Sequence, residues 1–214
     1  FGLAPVFAPW SVEKLLTRDV WSEDEAGARA VSLARAAHEV SRDDPLVSAI
    51  AGWVLYNVGL ERSGLEMLRR GIEANPNNLV ALNLGGIANL VDREYAAASD
   101  CYQRALRISP NAPDAFWSLT GEGFVQLELL NFETALKWFE RSLATGNEWP
   151  FTYFGIIAAY AHLDRMDEAK ENLKRLLAIA PGTTMNTRPL RYYRTVRVLD
   201  VQREGLRKAG LPET

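Results

Sequence analysis

Histidine and cysteine are the side chains of this sequence best suited to metal binding or nucleophilic catalysis, and both are scarce. The 214 residues contain two histidines, His38 and His162, and one cysteine, Cys101. The run HEVSR at 38–42 lacks the second histidine of a zinc-protease helix, and no histidine stands near Cys101 in sequence to act as its base. A lone cysteine in a helical pattern is typically a small buried hydrophobe. We therefore predict no catalytic residue and no metal site.

Glycine clusters and paired carboxylates are the next candidates for cofactor binding or acid–base chemistry. The runs LGGIA at 84–88 and TGEGF at 120–124 lack the complete phosphate-loop and dinucleotide patterns and fall inside helical patterns, which indicates packing glycines. The pair Asp43 and Asp44 falls on a predicted turn, where carboxylates stabilise the start of a helix. The sequence thus predicts no cofactor and a chain that is not an enzyme. The competing hypothesis is an active site assembled across several helices from Glu, Tyr and His side chains.

The charge balance excludes one large class of partner. The chain carries 24 Lys and Arg against 27 Asp and Glu, a formal net charge of −3, so it has no global positive field to hold a phosphate backbone. No apolar stretch approaches the roughly 20 residues that cross a bilayer. We predict no nucleic acid partner, no membrane span in this chain, and a cytoplasmic location, or a periplasmic one if a membrane span precedes residue 1.

The chain repeats one frame of small and large residues, written small-x3-large-x2-small-x4-Pro. Its first position recurs at Ala30, Gly64, Ala98, Ala135 and Ala169, with steps of 34, 34, 37 and 34 residues. Offsets of three and four place the frame on one helical face, so the frame predicts a packing face that another helix approaches closely. The fuller copies are Gly64, Leu68, Gly71 and Pro76; Ala98, Tyr102, Ala105 and Pro110; Ala135, Phe139 and Ser142, with Asn147 in place of proline; and Ala169, Leu173, Leu176 and Pro181.

Polar breaks separate each frame-bearing helix from a helix before it, which predicts a series of helix hairpins. The breaks fall at 59–64, 91–95, 129–133 and 163–167. We predict Asp92, Asn131 and Asp164 as N-cap residues, because their side-chain oxygens can accept the free amides of the second helix. A last helix is expected around 190–209, stopped by Gly210 and Pro212.

The pattern Ala98-x3-Tyr102-x2-Ala105-x4-Pro110, with Gly86 earlier in the same copy, resembles the tetratricopeptide repeat (TPR). The resemblance implies an all-α, right-handed α-solenoid of helix hairpins with a C-terminal capping helix. It also implies one domain over 1–214, with repeats at about 1–44, 45–78, 79–115, 116–149 and 150–183 and a capping segment at 184–214.

Three short runs carry a narrower resemblance. ISPNAPDAF at 108–116, APG at 180–182 and EGLRKAGLPE at 204–213 are similar to bacterial TPR regions that follow class III adenylate or guanylate cyclase domains, or winged-helix transcriptional regulators. The resemblance implies a regulatory or scaffolding role for this chain in such a signalling protein. Because the chain opens at Phe1 rather than Met, we expect the catalytic or DNA-binding part to precede it and Thr214 to lie near the native C-terminus.

The side of each first helix opposite its packing face is mainly aromatic and apolar, and in TPR proteins this side lines a groove. It holds no Lys or Arg, so a clamp for a peptide carboxylate has no residues here. Ala158 falls on this side, with His162 one step further along. We expect a partner protein or peptide in extended or helical form, the missing N-terminal domain, or a second copy; the alternatives are ordinary core, or a groove filled by the chain's own terminus. The predicted partner-binding residues are Trp53, Tyr56, Asn57, Asn83, Ile87, Trp117, Phe124 and Phe154.

A basic run near the end of the chain is the second predicted contact surface. Arg188, Arg191, Arg194 and Arg197 recur at every third residue. A solvated face of a terminal helix is the more common role of such a run. The functional alternative is a basic docking segment for an acidic face of a partner or of the missing N-terminal domain.

Overall fold

The computed structural model describes residues 23–40, 43–57, 60–111, 114–186 and 200–214. These ranges contain ten α-helices and no strand. The helices are α1 (Glu23–Val40), α2 (Pro45–Asn57), α3 (Glu61–Ala74), α4 (Leu79–Val91), α5 (Tyr95–Ile108), α6 (Ala115–Glu128), α7 (Phe132–Leu143), α8 (Pro150–His162), α9 (Met166–Ile179) and α10 (Asp200–Ala209).

The chain divides into two compact units, residues 1–88 and residues 89–214, with the boundary inside α4. In the first unit, α1 packs on α2 and α2 packs on α3. In the second unit, each helix from α5 to α8 packs on the next in the chain, and α10 packs mainly on α8. These pairings confirm the predicted helix hairpins at the breaks 59–64, 129–133 and 163–167.

The repeated frame is the buried face of each second helix, as the sequence predicts. No frame residue in α5, α7 or α9 is more than 8% exposed. The apolar stripe of each helix therefore faces its neighbours rather than solvent. The buried frame residues are Ala98, Tyr102 and Ala105 in α5, Ala135, Phe139 and Ser142 in α7, and Ala169, Leu173 and Leu176 in α9.

Glycines opposite the large frame residues set the spacing between helices in the second unit. The Phe139 ring of α7 lies between Gly123 of α6 and Gly155 of α8, and a Cβ atom on either glycine would overlap the ring. Tyr102 of α5 lies against Gly121 of α6 in the same way. Each aromatic ring therefore occupies the space that a Cβ atom would fill, so only glycine can stand opposite it.

In the first unit, glycines bring two helix backbones directly together. A Cβ atom on Gly52 of α2 would stand 2.6 Å from the Gly64 carbonyl oxygen and 2.6 Å from the Leu68 amide nitrogen of α3. Backbone atoms cannot move aside as a flexible side chain can. The α2–α3 approach therefore depends on glycine at both positions.

A chain of buried hydroxyl groups joins α6, α7 and α8. Thr120 Oγ1 lies 2.8 Å from Ser142 Oγ and 2.7 Å from Thr152 Oγ1. Ser142 Oγ also donates to the Phe116 carbonyl at 3.1 Å. Because each hydroxyl is paired, these polar groups can be buried without the penalty of unsatisfied hydrogen bonds.

The hairpin turns share one backbone motif, which corrects the predicted N-caps. A residue with positive φ, namely Arg93 (62°), Leu130 (63°) or Asp164 (59°), ends the first helix, and the amide after it bonds back to a carbonyl five residues earlier. The second helix begins at once, so the N-cap residues are Glu94, Asn131 and Arg165.

Of the three predicted caps, Asp92 and Asp164 lie inside the turn rather than at the N-cap. Asn131 occupies the N-cap position but makes no side-chain capping bond. Its Nδ2 atom instead donates to Gln126 Oε1 at 3.1 Å. The left-handed turn residue delays each helix start beyond the first polar side chain, which is why the prediction fails.

The predicted end of the last helix is confirmed. Gly210 has φ of 91°, and the Leu211 amide donates to the Leu206 carbonyl at 3.0 Å. This geometry requires a residue that tolerates the left-handed conformation. The helix begins at Asp200; the predicted start near 190 lies outside the described residues.

We expect Gly155→Ala to destabilise the second unit. The new methyl would overlap the Phe139 ring, which has little room to shift because it is fully buried and also lies against Gly123 of α6. Overpacking typically costs about 1–3 kcal/mol and outweighs the roughly 1 kcal/mol that alanine gains over glycine in a helix. Urea unfolding of Gly155→Ala, Phe139→Leu and the double variant measures this. The loss of unfolding free energy in the double variant should be smaller than the sum of the losses in the two single variants. If the losses simply add, the ring and the glycine are not coupled.

Candidate functional site

In the first unit, the described groove residues of the sequence prediction are buried or half-buried. Trp53 and Tyr56 are each 5% exposed, and their rings stack with centroids 5.9 Å apart. Asn83 is 2% exposed, and its Nδ2 atom donates to the Leu79 carbonyl at 3.0 Å. Ile87 is half-buried. The side chain of Asn57 lies outside the described part of the structure.

In the second unit, two of the predicted groove aromatics pack against other aromatic rings. Phe124 of α6 makes a T-shaped contact with Phe139 of α7, with ring centroids 5.3 Å apart, and Phe154 contacts Phe151 of the same helix, α8, at 5.8 Å. Phe124 and Phe154 are buried, whereas Trp117 is half-buried. Aromatic rings in this arrangement contribute to the core as well as to any surface. The assignment of these residues to partner binding stays a prediction.

The groove side of α8 is covered by the chain's own terminal helix. A Cβ atom on Gly205 of α10 would stand 2.6 Å from the Ala158 Cα atom of α8. The Nε2–H of His162, at the end of α8, donates to the Val201 carbonyl at 2.7 Å. Ala158 and His162 are both on the side that the sequence assigns to the groove. Of the occupants considered from the sequence, the structure thus places the chain's own terminus on α8.

The terminal helix is strongly amphipathic, and its apolar side faces inward. The outer side carries charge, including an ion pair of 2.8 Å between Lys208 and Glu204. After the helix, the Pro212 carbonyl accepts a hydrogen bond of 2.7 Å from the Met185 amide. The buried residues of α10 and its extension are Gln202, Gly205, Leu206, Ala209 and Leu211.

A carboxyl group lies near the start of α10. Burial raises the pKa of Glu128, the last residue of α6, to about 8, and the negative charge of Asp200 raises it further. Arg93 and the Gln202 amide, which donates to the carboxylate, act in the opposite direction. Arg93 also approaches Asp200 to 3.9 Å. Burial dominates, so the carboxyl group is held mainly neutral at pH 7.

Two buried oxygen atoms in this region have no hydrogen-bond partner among the described residues. They are Glu128 Oε1 and Gln202 Oε1. A buried acceptor without a donor loses the hydration that it has in the unfolded chain. The contact between α6 and α10 therefore carries a polar cost along with its apolar gain.

Cys101 is the buried hydrophobe that the sequence predicts. It is 6% exposed, and burial raises the pKa of its thiol. Asn89 Nδ2 lies 3.8 Å from the sulfur. A raised pKa opposes formation of the thiolate, which is the reactive form. Within the described ranges, no three His, Cys, Asp or Glu side chains cluster as metal ligands, and no helix is both long and apolar enough to cross a bilayer.

The basic docking segment cannot be placed. Arg188, Arg191, Arg194 and Arg197 lie outside the described residues, so their role stays a prediction.

Comparison with known proteins shows the fold. No family model matches the sequence, and no curated protein sequence matches it. Among solved structures, PilF of Pseudomonas aeruginosa superposes with a TM-score of 0.66 at 17% identity, over 92% of this chain and 86% of that one. The thermophilic TPR protein TTC0263 of Thermus thermophilus gives 0.72 at 18% identity, over 90% and 97%. PilW, a type IV pilus biogenesis factor, gives 0.69 at 12%, over 93% and 89%.

These superpositions define the class of the chain as an all-helical array of TPR-type hairpins. The described helices and their pairing agree with that class. The cyclase and winged-helix resemblances find no support among the matched structures.

Sequence reasoning missed Glu128, Gln202 and Gly205 as parts of one contact. One signal was available: Gly205 interrupts an otherwise helical pattern, and a glycine there often marks a close backbone approach. Glu128 gives no such signal, because the end of a surface helix commonly carries a charge.

We expect stability to fall as pH rises because of Glu128. Its pKa is about 8 in the folded chain against 4.5 as the ordinary value, so between these values the folded state holds a proton that the unfolded state has released. Stability should decrease across this window and level off above it. In Glu128→Gln the decrease should be smaller, as measured by urea unfolding at pH 5.5, 7 and 8.5. The control is Glu133→Gln, at a carboxylate that is 65% exposed. Identical pH profiles for wild type and Glu128→Gln would contradict the assignment.

Proposed function

We propose that this chain is a non-catalytic protein-interaction module that holds a segment of another protein against the inner sides of its first helices. One observation carries the proposal: α10 lies along α8, with its small and apolar residues turned inward. The surface that α10 covers has the shape and chemistry to hold a helix. Non-polar contact on this scale is the usual basis of such recognition.

Each of the two units carries some of the predicted groove residues, and in each unit they are a proposed contact surface by themselves. Trp117 and Ile87 support this proposal best, because both are half-buried and so retain accessible area. In the second unit, Phe124 and Phe154 would shape the surface from beneath. In the first unit, Trp53 and Tyr56 would do so, and Asn83 and Asn57 would offer donors and acceptors to a backbone. The basic segment with Arg191 and Arg194 is the alternative docking surface.

The finer proposal concerns the parent protein. The runs at 108–116, 180–182 and 204–213 support a regulatory or scaffolding region of a bacterial adenylate or guanylate cyclase, or a sensor and dimerisation region of a winged-helix regulator. That support is the sequence resemblance alone. The sequence preceding Phe1 tests it, because a cyclase domain and a winged helix have different sequence patterns.

The test of the interaction function is selection of peptides displayed on phage against the immobilised full chain. We expect apolar peptides to be enriched, and Trp117→Ala to weaken the best of them about 30-fold, which corresponds to about 2 kcal/mol. Trp53→Ala should act in the same direction. Raising NaCl from 50 to 500 mM should change the affinity little, since the surface carries no charged clamp.

Trp138→Ala is the matched control for this test. Trp138 is also half-buried, but it lies on the second helix α7, where Arg141 covers its ring at 4.3 Å. Each variant must keep the helical content of wild type by circular dichroism. If both groove variants bind like wild type while charge reversal at Arg191 and Arg194 abolishes binding, the basic segment is the docking surface and the groove assignment is wrong.

A further inference from the structure

The terminal helix does not continue the array of hairpins. If it did, α10 would pack mainly on α9, the helix before it in the described chain. Instead it packs mainly on α8, with smaller contacts to α6 and α9. Since α6 and α8 are the first helices of successive hairpins, α10 occupies the side where a repeat array binds segments of other proteins.

We call the surface of α6 and α8 that α10 covers the seat of α10. Contacts at three points make this surface specific for its helix. Its first turn meets Glu128 and His162, which contact the Gln202 amide and the Val201 carbonyl. Its middle meets Ala158 through Gly205, where no larger residue fits. Its C-terminal extension is fixed by the bond between the Met185 amide and the Pro212 carbonyl. A helix must therefore match the seat in direction, register and residue size.

The same contact has features that lower its stability. The helix has ten residues, which is shorter than the length at which isolated helices form in water, so its helicity depends on the seat. Glycine at its centre disfavours helix in the free segment. Two buried acceptors, Glu128 Oε1 and Gln202 Oε1, lack hydrogen-bond partners among the described residues. A helix that met the seat with better polar pairing would compete favourably.

We infer that α10 is a tethered occupant of a helix-binding site on α6 and α8, and that an amphipathic helix of a partner protein displaces it. The inference rests on the proposed interaction function and names its partner class. The chain is then closed when α10 is seated and open to the partner when it is not.

The seat defines the chemistry of the partner helix. A glycine must face Ala158, as Gly205 does, because a Cβ atom there would stand 2.6 Å from the Ala158 Cα atom. An apolar residue must follow it in the place of Leu206, and a small one in the place of Ala209, both of which are buried. The first turn should carry a donor for Glu128. The outer side is free to be charged, as α10 is at Glu204 and Lys208.

The probe is a fluorescent peptide with the sequence of residues 200–214, titrated into the full chain and followed by anisotropy. The substitution Gly205→Leu in the full chain prevents α10 from packing against Ala158 and leaves the sequences of α6 and α8 unchanged. The affinity for the peptide should rise at least about tenfold over wild type, because the site is no longer occupied. Adding Ala158→Leu to that variant should abolish the gain, since the seat itself is then filled.

Glu204→Leu is the matched control, because it adds the same side chain one position earlier on the exposed side of α10. It should bind the peptide like wild type. A peptide that carries Gly205→Leu should not bind any of these chains. Equal affinities for the Gly205→Leu and Glu204→Leu chains would overturn the inference.

A second measurement uses the wild-type chain, so the result does not depend on the folding of a variant. Hydrogen exchange with an excess of isotope-labelled peptide should accelerate exchange in the chain's own residues 201–211 and leave α5 unchanged. Unchanged protection of α10 at saturating peptide would overturn the inference. So would a wild-type dimer in sedimentation whose dissociation releases the protection of α10, since the occupant would then be a second copy.

These outcomes separate the inference from the proposed function. A displayed peptide that requires Trp117 but leaves α10 protected would keep the interaction function and overturn displacement alone. If no displayed peptide is selected but the 200–214 peptide displaces α10, the helix-binding site on α6 and α8 is supported. The proposal that the other groove residues bind a partner is then contradicted.

Discussion

The insertion of aromatic side chains into spaces left by glycine sets the distance between the helices α5, α6, α7 and α8 of the second unit. Phe139 makes this contact with two helices at once, since Gly123 of α6 and Gly155 of α8 both lie against its ring. The buried hydroxyls of Thr120, Ser142 and Thr152 can pair only because α6, α7 and α8 approach to this distance. Close packing leaves little tolerance for added volume, so ring and glycines act as a set.

The helix spacing also creates the surface that the terminal helix covers. With α7 packed behind them, α6 and α8 lie near enough for a single helix to contact both. Glycine then recurs in the same role, because Gly205 allows α10 to approach the backbone of Ala158. One packing rule, a small residue opposite a close neighbour, therefore operates both within the array and between the array and its terminal helix.

Electrostatics gives the terminal contact a different character from the core. The hydroxyls of Thr120, Ser142 and Thr152 pair with one another, whereas the contact of α6 with α10 buries a carboxyl group beside Asp200 and leaves two oxygen atoms without a hydrogen-bond partner among the described residues. This contact gains free energy by burying apolar side chains and loses part of it by burying unpaired polar atoms. Such a contact is suited to replacement of α10 by another helix. The solved structures that share the fold are only 12–18% identical to this chain, and function on a shared fold depends on such surface detail.

The sequence by itself determined the features that are local or periodic. The recurring small and large residues predicted the hairpins and their buried faces, since a 3.6-residue period relates spacing to one side of a helix. Gly210 predicted the end of α10, because the left-handed conformation favours glycine. The N-caps at Asp92 and Asp164 were predicted wrongly, because the left-handed turn residue shifts the helix start. Only the tertiary structure decided what covers the other side of the first helices. The seating of Gly205 on Ala158 and the raised pKa of Glu128 depend on residues far apart in the chain, and a periodic pattern shows which side of a helix is apolar but not which partner lies against it.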